Sequence, residues 1–174
     1  MPSLKAAYMG GKQAGCIGLL SVYAAGCRPT VVAAYDESVA RVAEALSVPV
    51  VSSIQDDGFE VATSESDVII CVHGSEIVPH RLLDIPPLGG INVHPCLYRY
   101  KGVNPIGRLL EDRNPVASVG VHRMTGRIDE GEVLIEEFVD VNDKRSIEEV
   151  YNALYPHYAV ALLKALTKIR PRGT

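Results

Sequence analysis

No stretch of this 174-residue chain approaches about 20 uninterrupted apolar residues, so a membrane-spanning helix and a membrane partner are not expected. The N-terminus shows no charged-then-apolar leader. No CxxC pair occurs among the four cysteines, Cys16, Cys27, Cys71 and Cys96, which lie in or beside apolar stretches. They read as reduced, mostly buried thiols, which favours the cytoplasm. Clustered cations are also scarce: 17 basic residues face 21 acidic ones, and only Lys164 to Arg172 is visibly basic. A nucleic-acid partner is disfavoured on that ground, because phosphate-backbone affinity depends on grouped Lys and Arg. With no repeats, low-complexity tracts or linker, residues 1–174 read as a single domain, long enough to bury about 70 % of the unfolded surface. A content of 47 % hydrophobic and 22 % charged residues argues against disorder and coiled coil alike.

What is present is an alternation of short apolar runs with helix-period segments. Strands are expected at Leu4 to Met9, Thr30 to Tyr35, Pro49 to Val51, Asp67 to Val72 and Ile91 to Val93. Between the first two, Gly10 to Gly15 reads as a turn and Cys16 to Ala25 as a helix closed by Gly26. Glu37 to Leu46 repeats Val39, Val42, Ala43 and Leu46 at helical spacing. Such βαβ units predict an α/β domain with a doubly wound, mostly parallel sheet. Downstream, a short helix is expected around His80 to Leu83 and another opened by Pro105. Val116 to Met124 and Val133 to Val141 form an antiparallel strand pair, and a terminal helix follows the capping box Ser146-Ile147-Glu148-Glu149, with Pro156 expected to kink or divide it.

The segment Asn92-Val93-His94-Pro95-Cys96 carries the clearest chemistry. Alternation along a strand puts Ile91 and Val93 on one face and Asn92 and His94 on the other. Pro95, lacking an N–H, is expected to stop the ladder there. An amide that donates to an oxyanion, beside a group titrating near neutral pH, is catalytic equipment. Ligands of such sheets bind beyond the carboxyl ends of the strands, where strand order reverses. His73 and His94 follow the fourth and fifth strands and both sit at that rim.

Gly89-Gly90-Ile91-Asn92-Val93-His94-Pro95-Cys96-Leu97 resembles the signature of the folate-dependent formyltransferases, a strand delivering Asn-x-His-Pro-Ser-Leu. Tyr100 to Ile106 is similar to the family's Tyr-Arg-Gly-x-x-Pro stretch. Val119 to Met124, followed by Ile128 to Glu132, resembles its Gly-Val-x-x-His/Met strand and Asp-x-Gly loop. Where the family has Ser-Leu-Leu-Pro, this chain has Cys96-Leu97-Tyr98-Arg99. The resemblance implies a Rossmann-like catalytic domain transferring a formyl group from 10-formyl-tetrahydrofolate, a co-substrate, to a primary amine of a small-molecule acceptor.

It also implies a trio of Asn92, His94 and Asp129. Asn92 would steady the oxyanion, His94 would act as acid or cation, and Asp129 would raise the imidazole pKa so that more of it is protonated at neutral pH. The folate is expected between Ser75-Glu76-Ile77-Val78 and Thr125-Gly126-Arg127-Ile128, with Leu82 and Leu83 as apolar wall. Cys96, Lys101, Gly102 and Asn104 are expected near the acceptor. Gly15-Cys16-Ile17-Gly18-Leu19 is similar to formyltransferases acting on amino-sugar nucleotides. Moreover, Gly10 to Gly15 lacks the serine or threonine that would grip the phosphate of glycinamide ribonucleotide. An amino-sugar nucleotide is therefore the expected acceptor; the alternatives are a phosphoribosylglycinamide formyltransferase and a homologue that only binds folate or hydrolyses its formyl group. Cys71, His73, His94 and Cys96 could supply a tetrahedral zinc set, but the one-residue spacing is unusual for structural zinc, and no metal is expected. His122 and Arg123 read as a partly exposed strand face, and Tyr151, Tyr155 and Tyr158 as interface or core. Oligomeric state stays open, a homo-oligomer included.

Overall fold

The computed structural model describes residues 3–170, so the last residues of the basic tail, Pro171 and Arg172, lie outside the described residues. Seven strands form one sheet in the order β3-β2-β1-β4-β5-β6-β7. These are β1 (Lys5–Gly10), β2 (Arg28–Ala34), β3 (Val50–Val51), β4 (Val68–Val72), β5 (Gly90–Pro95), β6 (Val116–Arg123) and β7 (Val133–Asp140). The first five run parallel, β6 returns antiparallel to β5, and β7 runs antiparallel to β6 and so in the direction of the first five. The helices are α1 (Lys12–Ala24), α2 (Glu37–Ala45), α3 (Asp57–Ser64), α4 (His80–Leu83), α5 (Pro105–Glu111) and α6 (Ile147–Ile169).

The alternating pattern of each strand feeds two cores. Tyr8, Ile70, Val72, Ile91 and Val93 pack toward α1 and α6, whereas Met9, Ile69 and Cys71 pack with Phe59 of α3 and Leu82 of α4. Strands buried on both faces need such near-continuous apolar runs. Leu82 and Leu83 are therefore core residues of the second cluster, beneath the surface on which they were expected to form a wall.

Four local expectations change. The first glycine run is not a turn up to Gly15: α1 begins at Lys12, with Gly11 as its N-cap, and Gly15 and Gly18 lie inside the helix. Close packing explains them. The Tyr8 hydroxyl donates to the Gly15 carbonyl at 2.6 Å, and a Cβ on Gly18 would lie 2.5 Å from that hydroxyl and 2.7 Å from Val72. Helix α3, between β3 and β4, carries only Phe59 and Thr63 as buried residues, too short a stripe to stand out in the sequence. Pro156 does not divide α6, which runs on past it and has its full capping box: Glu149 N–H donates to Ser146, and Ser146 N–H to Glu149. Strand order reverses between β1 and β4, one strand away from β5, so the rim residue nearest the reversal is His73.

Candidate active site

Pro95 does not stop pairing with β6. It is paired with Val119, and the Cys96 N–H donates to the Ser118 carbonyl at 2.8 Å. Along an antiparallel strand, N–H groups alternate between neighbours, and Cys96 points to β6, so the donor missing from Pro95 falls on the β4 side. There the parallel ladder has already ended at Val72 and Val93. The proline thus leaves β5 reaching two residues beyond its last pair with β4, with His94 beside the gap.

Asn92 and His94 share a face of β5, and the antiparallel register puts His122 of β6 directly opposite Asn92. Asp129 comes to them from the loop between β6 and β7, in a left-handed conformation with φ of 53°. Its Oδ2 lies 3.1 Å from His94 Nε2 and accepts from the Gly102 N–H at 2.8 Å. Its Oδ1 lies 3.2 Å from His122 Nε2 and accepts from Asn92 Nδ2 at 3.4 Å. The side chains of Asp129 and His122 are 6 % and 2 % exposed, and that of His94 is 12 % exposed. Against the expectation of a partly exposed strand face, His122 is buried against the carboxylate. Its signal in the sequence was its place opposite Asn92, visible only once the strand register is known.

Burial alone would raise the Asp129 pKa. The hydrogen bond from His122, the charge of His94 and the Gly102 amide outweigh it and hold the carboxyl at about 2. His94 behaves opposite to expectation: burial pushes its pKa below the ordinary value, and the pull of Asp129 and Gly102 does not overcome it. Its Nε2 faces two acceptors, Asp129 Oδ2 and the Gly102 carbonyl at 3.0 Å, so the proton of the neutral ring sits on Nε2. Nδ1 is buried and has no partner among the described residues. A neutral imidazole with a free lone pair is equipped to take a proton.

The family model described as formyl transferase matches residues 29–166. The chain belongs to the formyl transferase family. Among related sequences, methionyl-tRNA formyltransferase of Rickettsia felis is 30 % identical over 105 residues, covering 60 % of this chain and 35 % of that protein. The Rhodopseudomonas palustris protein of the same name is 29 % identical over 136 residues, 75 % of this chain and 44 % of that one. This chain thus spans less than half the length of these curated relatives. Glycinamide ribonucleotide transformylase 1 from Symbiobacterium toebii superimposes with a TM-score of 0.79 at 17 % identity, covering 94 % of this chain and 86 % of that one. A formyltetrahydrofolate deformylase from Pseudomonas syringae gives 0.79 at 18 % identity, covering 95 % and 60 %. These two likenesses concern the fold.

Among the other site residues expected of a formyl transferase, the second loop assigned to folate approaches α4, the helix that follows the first, since a Cβ on Gly126 would lie 3.7 Å from the His80 ring. Each presents an exposed isoleucine, Ile77 at 74 % and Ile128 at 62 %. Ser75 is exposed, Thr125 and Arg127 bond to each other within their loop, and Val78 is buried in the second core. Glu76 does not offer its carboxylate to a ligand. Ser53 Oγ donates to it at 2.7 Å and the Ile54 N–H at 3.0 Å, tying the loop to the segment after β3. On the acceptor side, Cys96 is wholly buried and does not face the site. Lys101 is exposed, its carbonyl accepting from Arg108; Asn104 occupies the N-cap position of α5 with φ of 51° and no side-chain cap hydrogen bond; and Gly102 is part of the Asp129 cluster itself. Cys71 and Cys96 belong to cores on opposite faces of the sheet, which keeps them from sharing one ion, and no metal-holding group forms among the described residues. None of the described helices is long and apolar enough to cross a membrane.

Proposed function

We propose that this chain transfers the formyl group of 10-formyl-tetrahydrofolate to the primary amine of a small acceptor, an amino-sugar nucleotide. The observation that carries the reading is Asp129 held on both oxygens while touching Asn92 and His94, the pair that the formyl transferase signature delivers. The loops after β4 and before β7, with exposed Ile77 and Ile128 facing solvent, suit a flat heterocycle held by main-chain groups.

In this mechanism Asn92 Nδ2 donates to the formyl oxygen as the amine attacks and negative charge develops there. Its contacts to Asp129 Oδ1 at 3.4 Å and to His122 Nε2 at 3.3 Å are both long, which leaves donor capacity for the oxyanion. The His94 imidazole, whose buried Nδ1 is uncovered as substrate binds, accepts the proton lost by the attacking nitrogen and returns it to N10 of the folate as the carbon–N10 bond breaks, so the imidazole ends neutral, as it began. Asp129 stays ionised and steadies the transient imidazolium through Nε2. The sequence-based role for His94, a standing acid, is replaced by that of a base.

The acceptor preference is supported by α1. Its Lys12 N–H donates to the Asp36 carboxylate, which also caps α2 through the Ser38 and Val39 N–H groups. A helix N-terminus is otherwise an anion site, and here a carboxylate already occupies part of it. That disfavours a phosphate at the first loop, as glycinamide ribonucleotide would require. The test is a screen of amines with 10-formyl-tetrahydrofolate, read by product mass. A formylated amino-sugar nucleotide is expected; formylation of glycinamide ribonucleotide alone would reverse the acceptor order, and formate released without any amine would make the chain a hydrolase.

A further inference from the structure

Three rings at the carboxyl end of the sheet take no part in the Asp129 cluster. His73 follows β4 in a left-handed conformation with φ of 58°, a state that costs a bulky residue on the order of 1 kcal/mol and tends to mark functional rims. Its ring centroid is 6.2 Å from that of Tyr151, and Tyr151 is 6.1 Å from Tyr155 with the planes within 26°. The two tyrosines are one turn apart on α6. That helix starts at this end because β7 finishes there, with Asp140 paired to Val116.

All three rings are half-buried, and none has a side-chain hydrogen bond to protein among the described residues. Burial, then the charge of Lys12, lowers the His73 pKa, with opposition from Asp36 and a smaller push from His94. The row is therefore uncharged near neutral pH, and His73 is near enough to His94 to feel its charge. Behind the row, Tyr158 is fully buried at 6.4 Å from Tyr155 and fixes its inner end.

Flat, uncharged faces with free polar edges suit a saturated sugar ring, whose C–H groups lie on the aromatic faces while its hydroxyls meet the ring nitrogens and phenols. The amine must reach His94, so the part of the acceptor nearest His73 is the ring that carries the amine. We propose that His73, Tyr151 and Tyr155 form the platform for the amine-bearing sugar ring of the acceptor. They set acceptor specificity without moving a proton. This inference rests on the formyl-transfer reading above.

The experiment is calorimetric titration of an amino-sugar nucleotide, and separately of a stable folate analogue, into wild type, Tyr151→Phe, Tyr151→Leu and Tyr151→Ala, with melting temperatures recorded. Tyr151→Leu keeps apolar bulk and guards against a folding failure. Loss of the aromatic face is expected to weaken acceptor binding tenfold or more in the Leu and Ala variants. Tyr151→Phe should retain most of the affinity, folate binding should stay within threefold, and the turnover defect should appear in KM for the acceptor with kcat little changed. Wild-type acceptor affinity in a folded Tyr151→Leu overturns the platform alone. A wild-type protein that binds the folate analogue but no amino-sugar nucleotide overturns the acceptor reading, and the platform with it.

Discussion

Asp129 stands between two histidines: His94 Nε2 lies 3.1 Å from one carboxylate oxygen and His122 Nε2 lies 3.2 Å from the other. The Gly102 amide adds a third donor at 2.8 Å. The carboxylate is thereby fixed in orientation and in charge, and it fixes the tautomer of His94 in turn. Second partners of this kind orient a catalytic imidazole in many sites.

The first prediction concerns that tautomer. In protein labelled with 15N-histidine, His94 should carry its proton on Nε2 at pH 7 and take up a second with a midpoint below the ordinary 6.5. A His94 that is doubly protonated at pH 7 would restore the standing-acid role and remove the base from the mechanism.

His122 positions the carboxylate. His122→Leu should leave Asp129 Oδ1 with only the long contact from Asn92, and kcat should fall about 10²-fold, the low end of the usual range for general acid–base effects. The folate KM should stay within threefold, and His122→Gln, which keeps a donor, should recover part of the rate. If both variants instead lose folding without separating in kcat, the residue is structural only.

Acid stability follows with a defined sign. His94 and His73 both have folded pKa values below 6.5, so the unfolded chain binds protons more readily and stability falls as pH drops below about 6.5. Asp129, near 2 when folded against 3.8 in its ordinary state, contributes stability that is present above pH 3.8 and is lost between there and about 2. The difference corresponds to about 2 kcal/mol. Urea titrations from pH 8 to 3 should show this monotonic loss, and Asp129→Asn should flatten its lower part.

Two glycines hold the site's loops. A Cβ on Gly131 would run into the Arg123 carbonyl, and one on Gly120 would lie 2.5 Å from Leu97. Gly131→Ala should therefore displace the segment carrying Asp129, lowering kcat/KM at least tenfold with a stability cost of about 1–3 kcal/mol. Gly120→Ala should act through the loop after β5. Wild-type kinetics in Gly131→Ala would show that the loop tolerates the shift.

Much of this arrangement was legible in the sequence, for reasons that differ residue by residue. The alternation Ile91-Asn92-Val93-His94 fixes which side chains share a face whatever the neighbours are, and Ser146 with Glu149 is a local cap that needs no tertiary information. Asp129 entered through the family pattern, since no spacing joins residues 37 positions apart. His122 could not be assigned without the β5–β6 register, and the start of α1 was hidden because Gly15 and Gly18 look like turn residues until Tyr8 and Val72 are placed against them. The direction of the His94 pKa was misread because a sequence reveals the nearby carboxylate and not the depth of burial that outweighs it.

The most direct test measures formylated amine by mass, from 10-formyl-tetrahydrofolate and the accepted amine, in wild type, Asn92→Ala, His94→Asn and Asp129→Asn, each confirmed folded by its melting temperature. The account predicts product from wild type and a fall of about 10² or more in each variant, with folate binding within threefold. Undiminished turnover in any of the three would contradict it.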